Sequence, residues 1–104
     1  MLTTTSDDVP GREIAETLGL VTANTVRSRH VGRDILAGLK TIVGGEIGAY
    51  TQLLTESRAQ ALSQLEAEAG AMGADAIVGL RMTTSSVTQG ASEILVYGTA
   101  VKLR

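Results

Sequence analysis

Residues 48–72, GAYTQLLTESRAQALSQLEAEAGAM, decide the fold of this chain. They contain no proline, and no glycine lies between Gly48 and Gly70. Residues spaced by three and four share one face of a helix, and the stripe we predict for this one is Ile47, Thr51, Leu54, Arg58, Ala61, Leu65, Ala69 and Met72. We therefore predict a single helix of roughly 35 Å that ends near Gly70 and Gly73.

Two β-rich segments follow the helix. They run from Ala76 to Val87 and from Glu93 to Leu103, and the intervening residues, Thr88 to Ser92, include a glycine and predict a hairpin loop. The last strand is apolar on both sides: one face carries Leu95, Tyr97, Thr99, Val101 and Leu103, and the other carries Ile94, Val96, Gly98 and Ala100. Because an antiparallel strand in a monomer normally turns one face to water, we expect the second face to contact another subunit.

The chain before the long helix predicts two more strands. Residues 2–5 are rich in threonine and lead to Pro10-Gly11, a pair that favours a β-turn, so we predict a short edge strand and then a turn. A second strand is predicted from about Leu18 to Arg29. Alternation places Leu20, Thr22, Asn24 and Val26 on one of its faces and Val21, Ala23, Thr25 and Arg27 on the other.

A shorter helix is predicted from Gly32 to Val43, where the apolar positions are Ile35, Leu36, Leu39, Ile42 and Val43. Gly44-Gly45 ends it and lets the chain turn sharply into the long helix. The elements then follow the order β-β-α-α-β-β in a single domain of residues 1–104. This order predicts an α+β fold with a small antiparallel sheet, one long helix and one shorter helix.

Composition excludes several classes of function. The chain has no cysteine, so it has neither a disulfide framework nor thiolate metal sites. Its net charge is −2 and its nine basic residues are scattered, which argues against nucleic acid as a partner. We find no apolar run long enough to span a membrane and no segment typical of a signal peptide, so the expected location is the cytoplasm.

The shortage of aromatic residues predicts self-association. The chain has two tyrosines, no phenylalanine and no tryptophan, so its core is built from smaller side chains. Aromatic residues supply much of the buried area in ordinary cores, and a chain of 104 residues is near the size at which the buried fraction is modest. Contact with other copies is the natural way to bury more apolar surface.

Several short motifs together resemble the YbjQ family of small bacterial and archaeal proteins. They are Thr4-Thr5-Ser6, Pro10-Gly11, Leu18-Gly19-Leu20-Val21, Gly44-Gly45-Glu46-Ile47, Tyr50, Arg58 with Ala61, and Gly73-Ala74-Asp75-Ala76-Ile77-Val78-Gly79. The resemblance covers essentially the whole chain. It implies a dodecin-like fold, with an antiparallel sheet wrapped on a helix, and subunits arranged in a pentameric ring. The family is uncharacterised and often carries a heavy-metal-binding label.

Three residues of the long helix are candidates for binding a small anionic ligand at subunit junctions: Glu46, Tyr50 and Arg58. Free N–H groups at a helix N-terminus favour an anion, although Glu46 can supply that negative charge itself. Arg58 falls on the predicted apolar stripe, where a guanidinium is costly unless it is paired. A structural salt bridge to Asp34, Glu46 or Glu93, within or between subunits, is the favoured role for Arg58, and core packing with a satisfied hydroxyl is the favoured role for Tyr50.

Metal binding is the second hypothesis. His30 is the single imidazole, and Met1, Met72 and Met82 are the only sulfur-containing residues, so one subunit cannot form a conventional zinc or copper site. A ring could gather His30 or carboxylates from several subunits around its axis. Asp7-Asp8 is a weaker candidate for a cation site, because adjacent carboxylates in a turn are usually solvated.

No arrangement of residues predicts catalysis. One histidine and many serines occur in almost any protein, and nothing marks a nucleophile elbow or a catalytic pair of carboxylates. We therefore expect a non-enzymatic homo-oligomeric module with no organic cofactor. Binding of a metal ion stays an open alternative. Binding of a flavin or another aromatic cofactor is suggested by analogy with the dodecin architecture alone, and the lack of Phe and Trp counts against it.

Overall fold

The computed structural model describes residues 1–27, 46–88 and 91–104. In chain order these form β1 (Leu2–Thr3), β2 (Ile14–Arg27), α1 (Glu46–Ala71), β3 (Ala76–Thr88) and β4 (Ala91–Leu103). The four strands make one sheet in the order β1-β3-β4-β2. The predicted α+β class is confirmed for this part of the chain. The shorter helix predicted at 32–43 lies outside the described residues, and the dodecin-like arrangement stays a prediction.

The long helix forms as predicted and ends at a glycine motif. It has 26 residues, which corresponds to about 39 Å. Beyond its last turn, the N–H of Ala74 donates to the carbonyl of Ala69 and the N–H of Gly73 donates to that of Gly70. Gly73 has φ +85°, a left-handed conformation that glycine adopts without steric cost. These two bonds form a Schellman motif, which satisfies carbonyls that the helix end leaves unpaired.

The sheet is antiparallel except at its β1 edge. β4 pairs with β2 on one side and with β3 on the other, both antiparallel. The short β1 pairs parallel to β3, and the N–H groups of Gly79 and Leu80 donate to the carbonyls of Ser6 and Thr4 just beyond it. The predicted turn is present, because the N–H of Arg12 donates to the carbonyl of Val9 across Pro10-Gly11 at 3.1 Å.

Strand limits differ from the prediction at two places. β2 begins at Ile14 rather than near Leu18, since its first residues pair with the end of β4. The β3–β4 hairpin is tighter than a loop of Thr88 to Ser92, because Thr88 already pairs with Ala91. The alternation predicted in β2 is confirmed: Val21, Ala23 and Thr25 are buried, and Leu20, Thr22 and Asn24 are exposed.

α1 covers one face of the sheet, which we call the covered face. Its buried residues are Ser57, Ala61, Leu65 and Ala69, and they repeat every four positions. They pack with residues of three strands to form the core, among them Val21, Ala23, Ile77, Leu80, Val96 and Ala100. The predicted stripe was therefore partly wrong, because the buried face passes through Ser57 rather than Arg58, which is exposed. Met72, the last residue of that stripe, is also exposed.

The core is tight where β4 meets β3. A Cβ placed on Gly98 would lie 2.7 Å from Cγ2 of Ile77 and 3.2 Å from the carbonyl oxygen of Val78. Ile77 is fully buried, so its methyl group occupies the space that a side chain at position 98 would need. The glycine is thus required by packing on the covered face.

The described residues cover the opposite face of the sheet, which we call the open face, at one end only. There Ala76, Val78 and Val101 are buried, with Val9 and Leu103 packed against them. Farther along the strands, Leu20 is 69% exposed and Tyr97 is 36% exposed, while Leu95 and Thr99 are half-buried. As predicted, β4 carries apolar residues on both faces. Contact of the open face with another subunit stays a prediction.

Candidate functional site

The three candidate ligand residues lie along α1, which begins at Glu46. Tyr50 is one turn later, about 6 Å along the axis, so its backbone is next to that of Glu46. Arg58 is twelve residues from Glu46, about 18 Å along the axis and about a third of a turn around it. A small ligand that contacts both Glu46 and Arg58 would therefore take them from different copies of the chain.

Arg58 is on the solvent side of the helix. Its Nη2 donates to Oγ1 of Thr55, one turn earlier, at 3.2 Å. Among the described residues, no carboxylate lies within ion-pair distance of its guanidinium. The salt bridge expected with Glu93 is not formed within the chain, and Oε2 of Glu93 accepts from Nδ2 of Asn24 at 3.0 Å. Asp34 lies outside the described residues. The guanidinium thus keeps donors free for an anion from solvent or from another chain.

Asp7 and Asp8 lie in an exposed turn ahead of Pro10. The turn is held by its own hydroxyl groups: Oγ of Ser6 donates to the carbonyl of Asp8 at 2.7 Å and is 2.8 Å from Oγ1 of Thr4. Among residues 1–27, 46–88 and 91–104, no group of three or more His, Cys, Asp or Glu side chains is placed to hold a metal ion. The solvated role expected for this acidic pair agrees with its exposure.

The other metal candidates are not brought together. His30 lies outside the described residues. Cε of Met1 is 3.8 Å from the point that a Cβ on Gly70 would occupy, and Cε of Met72 is 4.0 Å from the corresponding point at Gly19. Met82 lies on β3. Two of the thioethers therefore lie near the end of the helix, and the third belongs to a different part of the sheet.

The open face carries a surface that we call the open patch: Leu20, Leu95 and Tyr97. Tyr97 is paired across strands with Thr22 and Arg81, and Leu95 with Asn24 and Thr83. Cross-strand partners share a face of the sheet, so polar side chains surround the apolar ones. The guanidinium of Arg81 is engaged at the sheet edge, where its Nη1 donates to the carbonyls of Thr5 and Leu80. The open patch is therefore an apolar area with a polar rim, as in protein–protein interfaces.

Two structural residues were missed from the sequence. Ser57 is fully buried, and its carbonyl accepts from Oγ1 of Thr25 at 3.4 Å. The repeat of small residues at 57, 61 and 69 could have identified this face, because small side chains let a helix approach a sheet closely. Arg81 ties the N-terminal segment to β3, and no local pattern indicated that contact.

Comparison with known proteins identifies the family. The model of the YbjQ family, described as "Putative heavy-metal-binding", matches residues 1–104. A UPF0145 protein of Photobacterium profundum is 65% identical over 103 residues, 99% of this chain and 100% of that protein. The chain belongs to the YbjQ family. A UPF0145 protein of Archaeoglobus fulgidus is 57% identical over 104 residues, 100% of this chain and 96% of that protein.

A solved structure supports the fold of this YbjQ protein. The crystal structure of a protein with unknown function from Pediococcus pentosaceus, of the DUF74 family, superposes with a TM-score of 0.67. It covers 100% of this chain and 98% of its own, at 19% identity. Likeness at that identity shows the fold alone. In the part of the chain that the structure describes, no helix is long and apolar enough to cross a membrane.

Proposed function

We propose that this YbjQ protein is a non-enzymatic homo-oligomeric module that binds a small anionic ligand where copies of the chain meet. The observation that carries the proposal is the open patch, with Leu20 at 69% exposure on a part of the open face that no described residue covers. Leaving a leucine and a tyrosine in water on a flat sheet costs free energy that another copy would recover, at about 25 cal/mol for each Å² of apolar surface removed. A pentameric ring in the cytoplasm is the assembly and location we propose.

Arg58 supplies the anion site in this proposal. It is exposed, and its one described side-chain partner is the neutral hydroxyl of Thr55. Because Glu46 and Tyr50 are about 18 and 12 Å away along the same helix, they would reach the ligand from a neighbouring copy. A guanidinium is well suited to this task, since it stays charged and can bind a carboxylate or phosphate with two hydrogen bonds.

Native mass spectrometry of protein taken directly from cells tests the proposal, because stoichiometry and a retained small molecule appear in one spectrum. Calorimetric titration with inorganic phosphate and with citrate then tests the site. Saturable heat that is lost in Arg58→Gln but kept in Arg12→Gln is the expected result. Arg12 is an exposed arginine of the turn, so it controls for general loss of positive charge. Equal binding by both variants, or no heat with the native chain, would contradict the anion site.

Metal binding is the second candidate function, and the family description favours it. The described residues offer no cluster of ligands within one chain, so a site would be shared between copies and would use His30 or carboxylates. Titration with zinc, copper and nickel, followed by calorimetry, should then give saturable binding that His30→Ala abolishes. Titrations without heat would exclude this candidate.

A further inference from the structure

The side chain of Met72 reaches from the end of the long helix toward β2. Met72 directly follows α1, and its N–H donates to the carbonyl of Ala69 at 3.1 Å. Its Cε is 4.0 Å from the point that a Cβ on Gly19 would occupy. Gly19 pairs with Ala100, which is fully buried in the core. Since cross-strand partners share a face of the sheet, the thioether lies at the end of the covered core.

The other residues at the end of the helix are small. Residues 70, 71 and 73 are glycine, alanine and glycine, so Met72 carries the one long side chain among residues 70–73. From β4, Cε of Lys102 is 3.6 Å from the point that a Cβ on Gly73 would occupy. Lys102 therefore approaches the helix end from β4, whereas within residues 70–73 the approach to β2 depends on Met72.

All three methionines are open to solvent, but they differ in position. Met72 is 38% exposed, Met1 is 49% exposed and Met82 is 43% exposed, so a small oxidant in water can reach each side chain. Met82 is six residues after Ala76, about 20 Å along β3 from the end of the helix. Its oxidation should leave the helix end unaffected, which makes Met82 a matched control for Met72.

We propose that Met72 is a site of reversible oxidation by hydroperoxides, and that its sulfoxide loosens the end of α1 from β2. With hydrogen peroxide, the sulfur lone pair attacks one oxygen, the O–O bond breaks and an S–O bond forms. The proton of the transferred oxygen moves to the other oxygen, which leaves as water. Sulfur loses two electrons and the peroxide gains them. A methionine sulfoxide reductase with a dithiol reverses the step, because the oxygen leaves as water and the dithiol becomes a disulfide.

The sulfoxide is a poor substitute for the thioether at this place. Its oxygen is a polar acceptor that needs a hydrogen bond, and the side chains of Gly19, Ala69 and Ala100 have no donor. The oxygen therefore finds its partner in water, and a side chain that turns to water leaves β2. The bond from the N–H of Ala74 to the carbonyl of Ala69 does not involve the sulfur. We accordingly expect a looser helix end rather than an unfolded chain.

Peroxide treatment of three proteins tests the inference: the native chain, Met72→Leu and Met82→Leu. Leucine has a similar volume and no sulfur. Peptide mass spectrometry locates the sulfoxides, and hydrogen exchange follows the N–H groups of Gly73 and Ala74, which bond to the last turn. In the treated native chain these amides should exchange about tenfold faster, and the thermal midpoint should fall by about 4 °C. Met82→Leu should behave in the same way, Met72→Leu should keep both values, and reductase should restore the native chain.

Three results would overturn the inference. The first is a Met72 that stays unoxidised while Met1 and Met82 are oxidised. The second is an equal change in Met72→Leu and Met82→Leu, because both variants keep Met1. The third comes from Met72→Gln, which places a polar carbonyl at the same position without peroxide and should speed exchange at Gly73 and Ala74. Native exchange rates in that variant would show that polarity at position 72 does not loosen the helix end.

Discussion

The two faces of the sheet are built from the same strands but differ in how much of them is covered. On the covered face, Val21, Val96 and Ala100 are fully buried beneath the helix. On the open face of the same strands, Leu20 and Tyr97 are exposed. Apolar residues along one face of a strand therefore do not make a core by themselves, because that face also needs an element to cover it. The described chain supplies one long helix, which covers one face.

Truncating one leucine on each face should give the largest difference in stability cost between the two faces. Leu65→Ala removes a fully buried side chain and should lower the free energy of unfolding by about 3 kcal/mol at every protein concentration, because it leaves a cavity. Leu20→Ala should cost less than about 0.5 kcal/mol in dilute protein, where copies are apart. Its cost should grow at concentrations at which the native chain assembles. Urea unfolding at several concentrations measures both. Equal costs for the two variants at all dilutions would contradict the distinction between the faces.

Gly98→Ala tests how tightly the covered face is packed. The added Cβ would lie 2.7 Å from Cγ2 of Ile77, so strands or side chains must move, and we expect a loss of about 2 kcal/mol. Ile77→Ala removes the methyl group in question. In a double-mutant cycle, Gly98→Ala should therefore cost less in the Ile77→Ala background. An unchanged cost in that background would mean that the close approach is not the cause.

Two neighbouring residues of β2, one on each face, should show the smallest difference in stability cost. Thr25 is 7% exposed on the covered face and donates to the carbonyl of Ser57, whereas Asn24 is exposed on the open face and donates to Glu93. Thr25→Val should cost about 1 kcal/mol, because it removes the buried hydrogen bond from Oγ1 to the Ser57 carbonyl. Asn24→Ala should change stability by less than about 0.5 kcal/mol. Thermal unfolding of the two variants at low protein concentration gives the order, and a larger loss for Asn24→Ala would reverse it.

The sequence predicted the long helix well, because glycines mark its end, and it predicted the hairpin but with a longer loop than the structure has. Gly73 ends the helix where the pattern indicated, and the alternation in β2 assigned the buried side chains correctly. The start of β2 was missed because Ile14-Ala15-Glu16-Thr17 has weak strand propensity. Its pairing with the end of β4, which the local sequence does not show, makes it a strand. Contacts between distant parts of the chain, such as that of Arg81 with Thr5, leave no local pattern.

The candidate site was harder to predict than the fold. Hydropathy ranks Ser57 and Arg58 both as polar, so spacing could not decide which of them the helix buries. Size and charge decide it: a serine hydroxyl is cheap to bury when it is bonded, whereas a guanidinium is not. Which surface covers the open patch depends on a partner, and one chain's sequence shows the apolar residues without showing what they meet.

Sedimentation equilibrium of the purified native chain, over a dilution series from high to low micromolar concentration, tests the central claim most directly. The account predicts an assembly of several chains at the upper end, with Leu20→Asp sedimenting as a single chain under the same conditions. A native protein of 10.8 kDa at every concentration would contradict it, because the open face would then be stable in water without a partner.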